Sequence, residues 1–237
     1  DDPDARAPGN QDRGAGPPYL LCLGRVDKQK GVHLLVELFA AYKSRHPGPL
    51  RLVIAGPVVE PPPSLPGVDV LGPVSDDEKW SLLSGAVALV SPSPWEAFSL
   101  AVAEAWSART PVLVRAGCGA TVEHCRRSGG GVPFAGYGEF EALVDRLTTE
   151  PDWGRRLGRR GRAYVDARFR WPQIIDRYAR FLERVASAGT GARRQGGRLV
   201  APASLAQEMP VPSGRGPARA TTGTPSTAAP GRTRQAR

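Results

Sequence analysis

The sequence is poor in the features that mark several protein classes. It has 1 methionine, 3 cysteines and 7% aromatic residues across 237 positions. Cys22, Cys118 and Cys125 are odd in number and contain no C-x-x-C pair. This argues against a disulfide framework and suits a reducing compartment. A metal site built from Cys118, His124 and Cys125 is disfavoured, because the last two are adjacent and the spacing matches no standard zinc motif. No apolar run approaches the roughly 20 residues that a membrane span requires. The opening stretch DDPDARAPGNQDRGAGPP lacks both the basic start and the apolar centre of a secretory leader. A cytoplasmic protein is expected. The lone Met209 stands near the far end and the chain opens on Asp1, so a piece of a longer parent is expected.

Acidic residues are also scarce in one region. From Ser187 onward only Glu208 is acidic, against Arg193, Arg194, Arg198, Arg215, Arg219, Arg232, Arg234 and Arg237. Most of the net charge of +9 therefore belongs to a Gly/Pro/Ala/Thr-rich tail that cannot bury a core. The charge says little about the body's chemistry. The expected organisation is a linker over 1–18, one α/β domain over 19–186 and a disordered basic tail over 187–237. Weak contact of that tail with an anionic membrane surface is the one partner its charge suggests, and no specific nucleic acid is expected.

Between these flanks, short apolar runs alternate with helical periodicity. PYLLCLG, LRLVIAG, VDVLG, VALVSPS, TPVLV and GGGVPF read as strands. Leu34, Leu35, Leu38, Phe39 and Tyr42 have helical spacing, ended by Pro47 and Gly48. Helices are also predicted over SDDEKWSLLSGA, over 98–108, near 120–127, and in three stretches running to about Ala186. Ser75 and Glu78 form a capping box, which explains Asp76 and Asp77 as first-turn acids rather than metal ligands. The alternation predicts a single Rossmann-like domain with a parallel sheet covered on both faces.

Ligands of such sheets bind beyond the carboxyl ends of the strands. There the first strand meets GRVDKQKG, with Gly24 at the turn, then Arg25, then Lys30 just before a helix. Two cations at a strand mouth suit a diphosphate; alone, they suit a solvated surface better. The fourth strand meets SPSPWEAFSL, where the amides of Phe98, Ser99 and Leu100 are expected to open a helix and face an anion. Glu96 precedes that helix. Glu104 lies within it among Ala101, Val102 and Ala105, leaning back toward the same mouth. A half-buried carboxylate needs donors, from ligand hydroxyls or from a structural arginine. Taken with Arg25 and Lys30, the ligand reading is favoured. Cations and amides would hold phosphates while acids grip hydroxyls on either side, as a nucleotide sugar requires.

Over residues 18 to about 185 the sequence resembles the C-terminal, donor-binding half of retaining glycosyltransferases of the GT-B fold, family 4. The resemblance rests on Gly24, Arg25, Lys30 and Gly31, on Glu96 and Glu104 with seven residues between them, on the TPVLV strand, and on FRWPQIIDRYARFLERV as a closing helix. It implies that Arg25 and Lys30 bind the donor diphosphate, that Glu96 touches hydroxyls of the transferred sugar, and that Glu104 holds the ribose. It further implies that the amides of Phe98, Ser99 and Leu100 approach the sugar and distal phosphate, that backbone near Val74 faces the base, and that no metal or other cofactor is needed. Ala97 and Ser99 depart from the family, where many members have glycine. The resemblance also implies an acceptor-binding domain ahead of residue 1, carrying the catalytic-region histidine; His33, His46 and His124 sit in no matching context and read as structural. Two other readings share the fold: a nucleotide-sugar epimerase, and a non-catalytic nucleotide-sugar-binding module.

Overall fold

The computed structural model describes residues 16–189. The expected linker before residue 16 and the basic tail from 190 lie outside the described residues. Six strands and seven helices follow one another as β1 (Tyr19–Leu23), α1 (Val32–Arg45), β2 (Arg51–Ala55), β3 (Val68–Gly72), α2 (Asp76–Gly85), β4 (Ala88–Ser91), α3 (Leu100–Ser107), β5 (Val112–Arg115), α4 (Gly119–Ser128), β6 (Gly131–Phe134), α5 (Tyr137–Thr149), α6 (Pro151–Arg168) and α7 (Trp171–Gly189). The strands form one sheet in the order β3-β2-β1-β4-β5-β6, and every pairing is parallel. This is the doubly wound arrangement, whose direction of winding reverses between β1 and β4.

The near-continuous apolar strands follow from burial on both faces. Successive side chains of a strand point to opposite sides, so β1 divides its residues between two cores. Leu20 and Cys22 join Leu35 and Phe39 of α1 and Phe140 and Val144 of α5. Leu21 joins Val102 and Trp106 of α3, Cys125 of α4 and Tyr164 of α6. Burial pushes the Cys22 and Cys125 thiols up to about 12, which leaves both as inert core residues. The capping box forms as the sequence predicts: Ser75 accepts from the Glu78 amide while the Glu78 carboxylate accepts from the Ser75 amide.

Two element boundaries differ from expectation. Helix α3 starts at Leu100, not near Phe98, because Ser99 takes a left-handed backbone conformation (φ 68°) that cannot extend a right-handed helix. Helix α7 continues to Gly189, past the expected end near Ala186. The chain divides into two compact units, Asp1–Tyr178 and Ala179–Arg237. In the first, Trp171, Ile175 and Tyr178 of α7 are exposed; in the second, Phe181, Leu182 and Val185 are exposed. Among the described residues no helix is long and apolar enough to cross a membrane.

Helix α6 reaches α3 through glycines. A Cβ on Gly158 would lie 1.8 Å from the Arg109 carbonyl oxygen, and one on Gly161 would lie 2.0 Å from Trp106 Cδ1. Trp106 is fixed in turn by donating its indole N–H to the Gly130 carbonyl at 3.0 Å. Because the obstacle at Gly158 is backbone, no side-chain rotation can make room. Gly158→Ala is expected to destabilise the chain by about 3 kcal/mol in urea denaturation, through forced separation of α6 from the α3–β5 turn.

Candidate functional site

Two loops leave the carboxyl ends of β1 and β4, at the point where the winding reverses. In the first, Gly24 (φ 139°) turns the chain sharply and donates its amide to the Ala55 carbonyl at 2.9 Å. Asp27 then organises the loop from within. It is 6% exposed, accepts the Lys30 amide at 2.6 Å and binds the Arg25 guanidinium through Nε. The Lys30 amide, followed by the hydrogen bond and charge of Arg25, holds the Asp27 carboxyl below its ordinary value against the opposing effect of burial. Gly31 (φ 77°) closes the loop and starts α1, and a Cβ there would fall 2.4 Å from the Pro92 carbonyl oxygen. Only glycine permits both the conformation and the approach.

That approach brings in the second loop. Ser93, 4% exposed, clamps it by donating its hydroxyl to the Trp95 carbonyl at 3.0 Å. Glu96 Oε1 then meets Lys30 Nζ at 2.7 Å, with side-chain exposures of 16% and 34%. Phe98 turns its ring away into an aromatic cluster, edge-on to His124 at 4.9 Å and to Phe169 at 5.0 Å. Since α3 begins at Leu100, the free amides of its first turn are those of Leu100, Ala101 and Val102. Of the three amides expected from sequence, Leu100 alone belongs to that turn; Phe98 and Ser99 precede it.

Gly24, Arg25, Lys30, Glu96, Ser99 and Leu100 all line one open cleft of about 190 Å³. The structure thus brings together both cations, one of the two acids and the mouth of α3. Glu104 and Val74 are not among the lining residues. Glu104, 29% exposed, accepts from Lys79 of α2 at 3.1 Å, and Lys79 also pairs with Asp76 at 2.9 Å. The donor that sequence left open between a ligand and an arginine is a lysine. Asp27 and Lys79 were both missed. The first was hidden in plain sight between the two cations, and the second contacts its carboxylate from 25 residues away.

The histidines serve packing. His46 ends α1, stacks on Tyr42 at 4.5 Å and bonds Glu141 at 2.8 Å. His33 Nδ1 is buried with no partner. His124 Nδ1 meets the Tyr164 hydroxyl at 3.0 Å, and burial first, then the charge of Arg127, pulls its imidazole below the ordinary 6.5 against the smaller opposing pull of Glu123. None of the three lines the cleft. Among the described residues no group of three or more His, Cys, Asp or Glu side chains is placed to hold a metal ion.

A doubly wound sheet whose switch point carries cations, an acid and a helix mouth defines the class of α/β domains that hold anionic ligands at strand ends. Within that class, residues 6–163 match the model of the family described as glycosyl transferases group 1, and the chain belongs to that family. It is 29% identical over 171 residues to glycosyltransferase 1 domain-containing protein 1 of Xenopus tropicalis, covering 68% of this chain and 48% of that protein. Its fold is similar to that of sucrose-phosphate synthase from Thermosynechococcus elongatus (TM-score 0.61, 25% identity, 78% of this chain and 49% of that one). The C-terminal domain of a glycosyl transferase group 1 family protein from Francisella tularensis has a similar fold (TM-score 0.54, 18% identity, 66% of this chain and 89% of that one). So does Anabaena HepE, solved in complex with UDP-glucose (TM-score 0.60, 17% identity, 71% of this chain and 49% of that one). The chain spans about half the length of the curated relatives it matches.

Two measurements check the local physics. Ser99 keeps a non-glycine side chain at φ 68° without using it as a cap. Ser99→Gly should therefore raise stability by about 1 kcal/mol in chemical denaturation. Because His124 is held neutral in the fold, the unfolded chain takes up a proton first as pH drops below 6.5. Its contribution is fully present above that value and is lost on acidification toward the lower folded value. Stability of the wild-type chain between pH 7.5 and 5 should accordingly fall more steeply than that of His124→Gln.

Proposed function

We propose that the chain is the donor-binding part of a retaining glycosyltransferase that transfers a sugar from a nucleotide-diphosphate sugar to a hydroxyl acceptor. One observation carries this reading: Arg25, Lys30, Glu96 and the mouth of α3 line a single cleft at the switch point of the sheet. The UDP-glucose bound to Anabaena HepE, whose fold is similar, gives it further support.

In this reading Arg25 and Lys30 hold the diphosphate, assisted by the free amides at the start of α3. Glu96 accepts hydrogen bonds from hydroxyls of the transferred sugar. As the bond between the anomeric carbon and the diphosphate oxygen breaks, negative charge grows on the departing phosphate. The two cations and the helix dipole stabilise that charge more strongly in the transition state than in the bound donor. They supply the neutralisation that a metal ion would otherwise provide, so no metal is required. The acceptor hydroxyl attacks the same face from which the nucleoside diphosphate departs, and its proton passes to the leaving phosphate oxygen. Glu104 receives the ribose diol on Oε2, since Lys79 occupies Oε1. Backbone near Val74 faces the base.

An acceptor-binding domain completes this enzyme and supplies the histidine of the catalytic region. The chain by itself is then a binder without turnover, acting in the cytoplasm, with its basic tail available to an anionic membrane surface. Calorimetric titration with UDP-glucose, ADP-glucose and GDP-mannose checks it. One of the three should bind without added metal, and Arg25→Ala and Glu104→Ala should each weaken that binding by about 10- to 100-fold, the loss of a charge-assisted contact. An affinity that ignores Arg25→Ala would remove the diphosphate from this cleft, and one that ignores Glu104→Ala would remove the ribose from Glu104.

A further inference from the structure

The two cations of the cleft are neutralised in different ways. Arg25 is paired with Asp27, and Lys30 with Glu96. Asp27 is nearly buried and also holds the Lys30 amide at 2.6 Å, so withdrawing it would strand a backbone donor as well as a guanidinium. The Asp27 carboxylate is therefore held in place beside Arg25. Among the described residues Glu96 is bound through Oε1 alone, to a flexible ammonium whose side chain is 34% exposed. That pair can open without disturbing the backbone.

A diphosphate entering the cleft acts on these pairs unequally. Arg25 keeps Asp27 on Nε and still offers the rest of its guanidinium fork. Lys30 cannot satisfy Glu96 and a phosphate at full strength together, and the carboxylate and the phosphate repel one another. The incoming anion carries more charge, so it takes the ammonium. Glu96, half-buried against the cleft wall, is left with acceptor oxygens that need donors. Sugar hydroxyls attached to the same diphosphate are within the same cleft to supply them.

We propose that the Lys30–Glu96 pair is a latch that couples the two halves of donor recognition: the diphosphate draws Lys30 away and thereby frees Glu96 for the sugar. The inference rests on the proposed donor site and adds a regulation within it. It makes Glu96 an antagonist of diphosphate binding and, at the same time, the carboxylate that discriminates the sugar-bearing donor from the bare nucleotide. Those two roles give opposite signs for one substitution.

The experiment is a double-mutant cycle on the full chain, read by calorimetry with inorganic pyrophosphate, UDP and UDP-glucose. Glu96→Gln removes the charge and keeps the shape; its melting temperature confirms that the fold is intact. It should bind pyrophosphate and UDP about three- to tenfold more tightly than wild type, the range expected for releasing a partly exposed ion pair. Its preference for UDP-glucose over UDP should fall. In a Lys30→Ala background, where only the direct repulsion between Glu96 and the phosphate remains, the gain should be smaller than in wild type. Glu96→Gln that binds pyrophosphate no more tightly than wild type overturns the latch, as does a gain that is undiminished without Lys30. Where the wild-type chain binds these ligands and only the Glu96→Gln gain is missing, the donor site stands and the latch falls. A wild-type chain that binds neither pyrophosphate nor any of UDP-glucose, ADP-glucose and GDP-mannose removes both.

Discussion

The closeness of the Gly31 Cα to the carbonyl of Pro92 governs the site. No side chain fits there: a Cβ would sit 2.4 Å from the oxygen, and the backbone is already at φ 77°. The contact joins the loop after β1 to the loop after β4. These strands are neighbours, so their carboxyl ends are already near, but neighbouring strands alone leave two independent loops. Seating one on the other puts Lys30 against Glu96 and turns two strand ends into one cleft. A second close approach supports the first from below. Gly56 passes over Gly24 so tightly that a Cβ would lie 2.1 Å from the Gly24 oxygen. The glycines therefore do more than allow turns: they set the distance between the charged groups.

Electrostatics then decide what such a cleft can be. Carboxylates placed among apolar residues are unfavourable unless something donates to them. Each acid of the region has its own cation: Asp27 has Arg25, Glu96 has Lys30, and Glu104 has Lys79. The pairs differ in what else they hold. Among the described residues, Asp27 also carries backbone, Lys79 also carries Asp76, and Glu96 carries nothing further. Where every acid is paired, the function of the site depends less on the presence of charge than on which pair is weakest. This places the adaptable element at Lys30 and the rigid element at Asp27, with 2 residues between them along the chain.

Much of this was legible in the sequence, and the reasons are physical. Apolar runs without alternation announce strands buried on both faces, and all six appear in the sheet. The capping box was readable because its partners are three residues apart, and local geometry fixes both. Gly24, Arg25, Lys30 and Glu96 were readable because strand ends gather in α/β folds whatever the loops do. The start of α3 was not. Ser99 is an ordinary residue for a helical turn, and only the loop's closure onto α1 and the anchoring of Phe98 among His124 and Phe169 drive it to positive φ. Lys79 was unreadable for a similar reason. Its period on α2 marks a polar face, and nothing local says that the face meets Glu104 across a helix pair. Tertiary packing chose these two features, and sequence windows do not contain it.

The size of the cleft constrains the chemistry further. At about 190 Å³ it falls short of the roughly 300–1,000 Å³ of sites that enclose a drug-sized ligand. A nucleotide sugar lying along it would keep one flank in water. Water is a competing acceptor for a glycosyl group, and it also weakens each charge–charge contact that would stabilise a departing diphosphate. A wall from elsewhere would raise the value of every cation already in place without moving any of them. The exposed Leu100, which lines the cleft at the start of α3, and the exposed Trp95, next in sequence to the cleft-lining Glu96, are apolar surface against which such a wall would exclude solvent. Under the proposed function, then, this half supplies the charge pattern and the other supplies the dryness that makes the pattern effective.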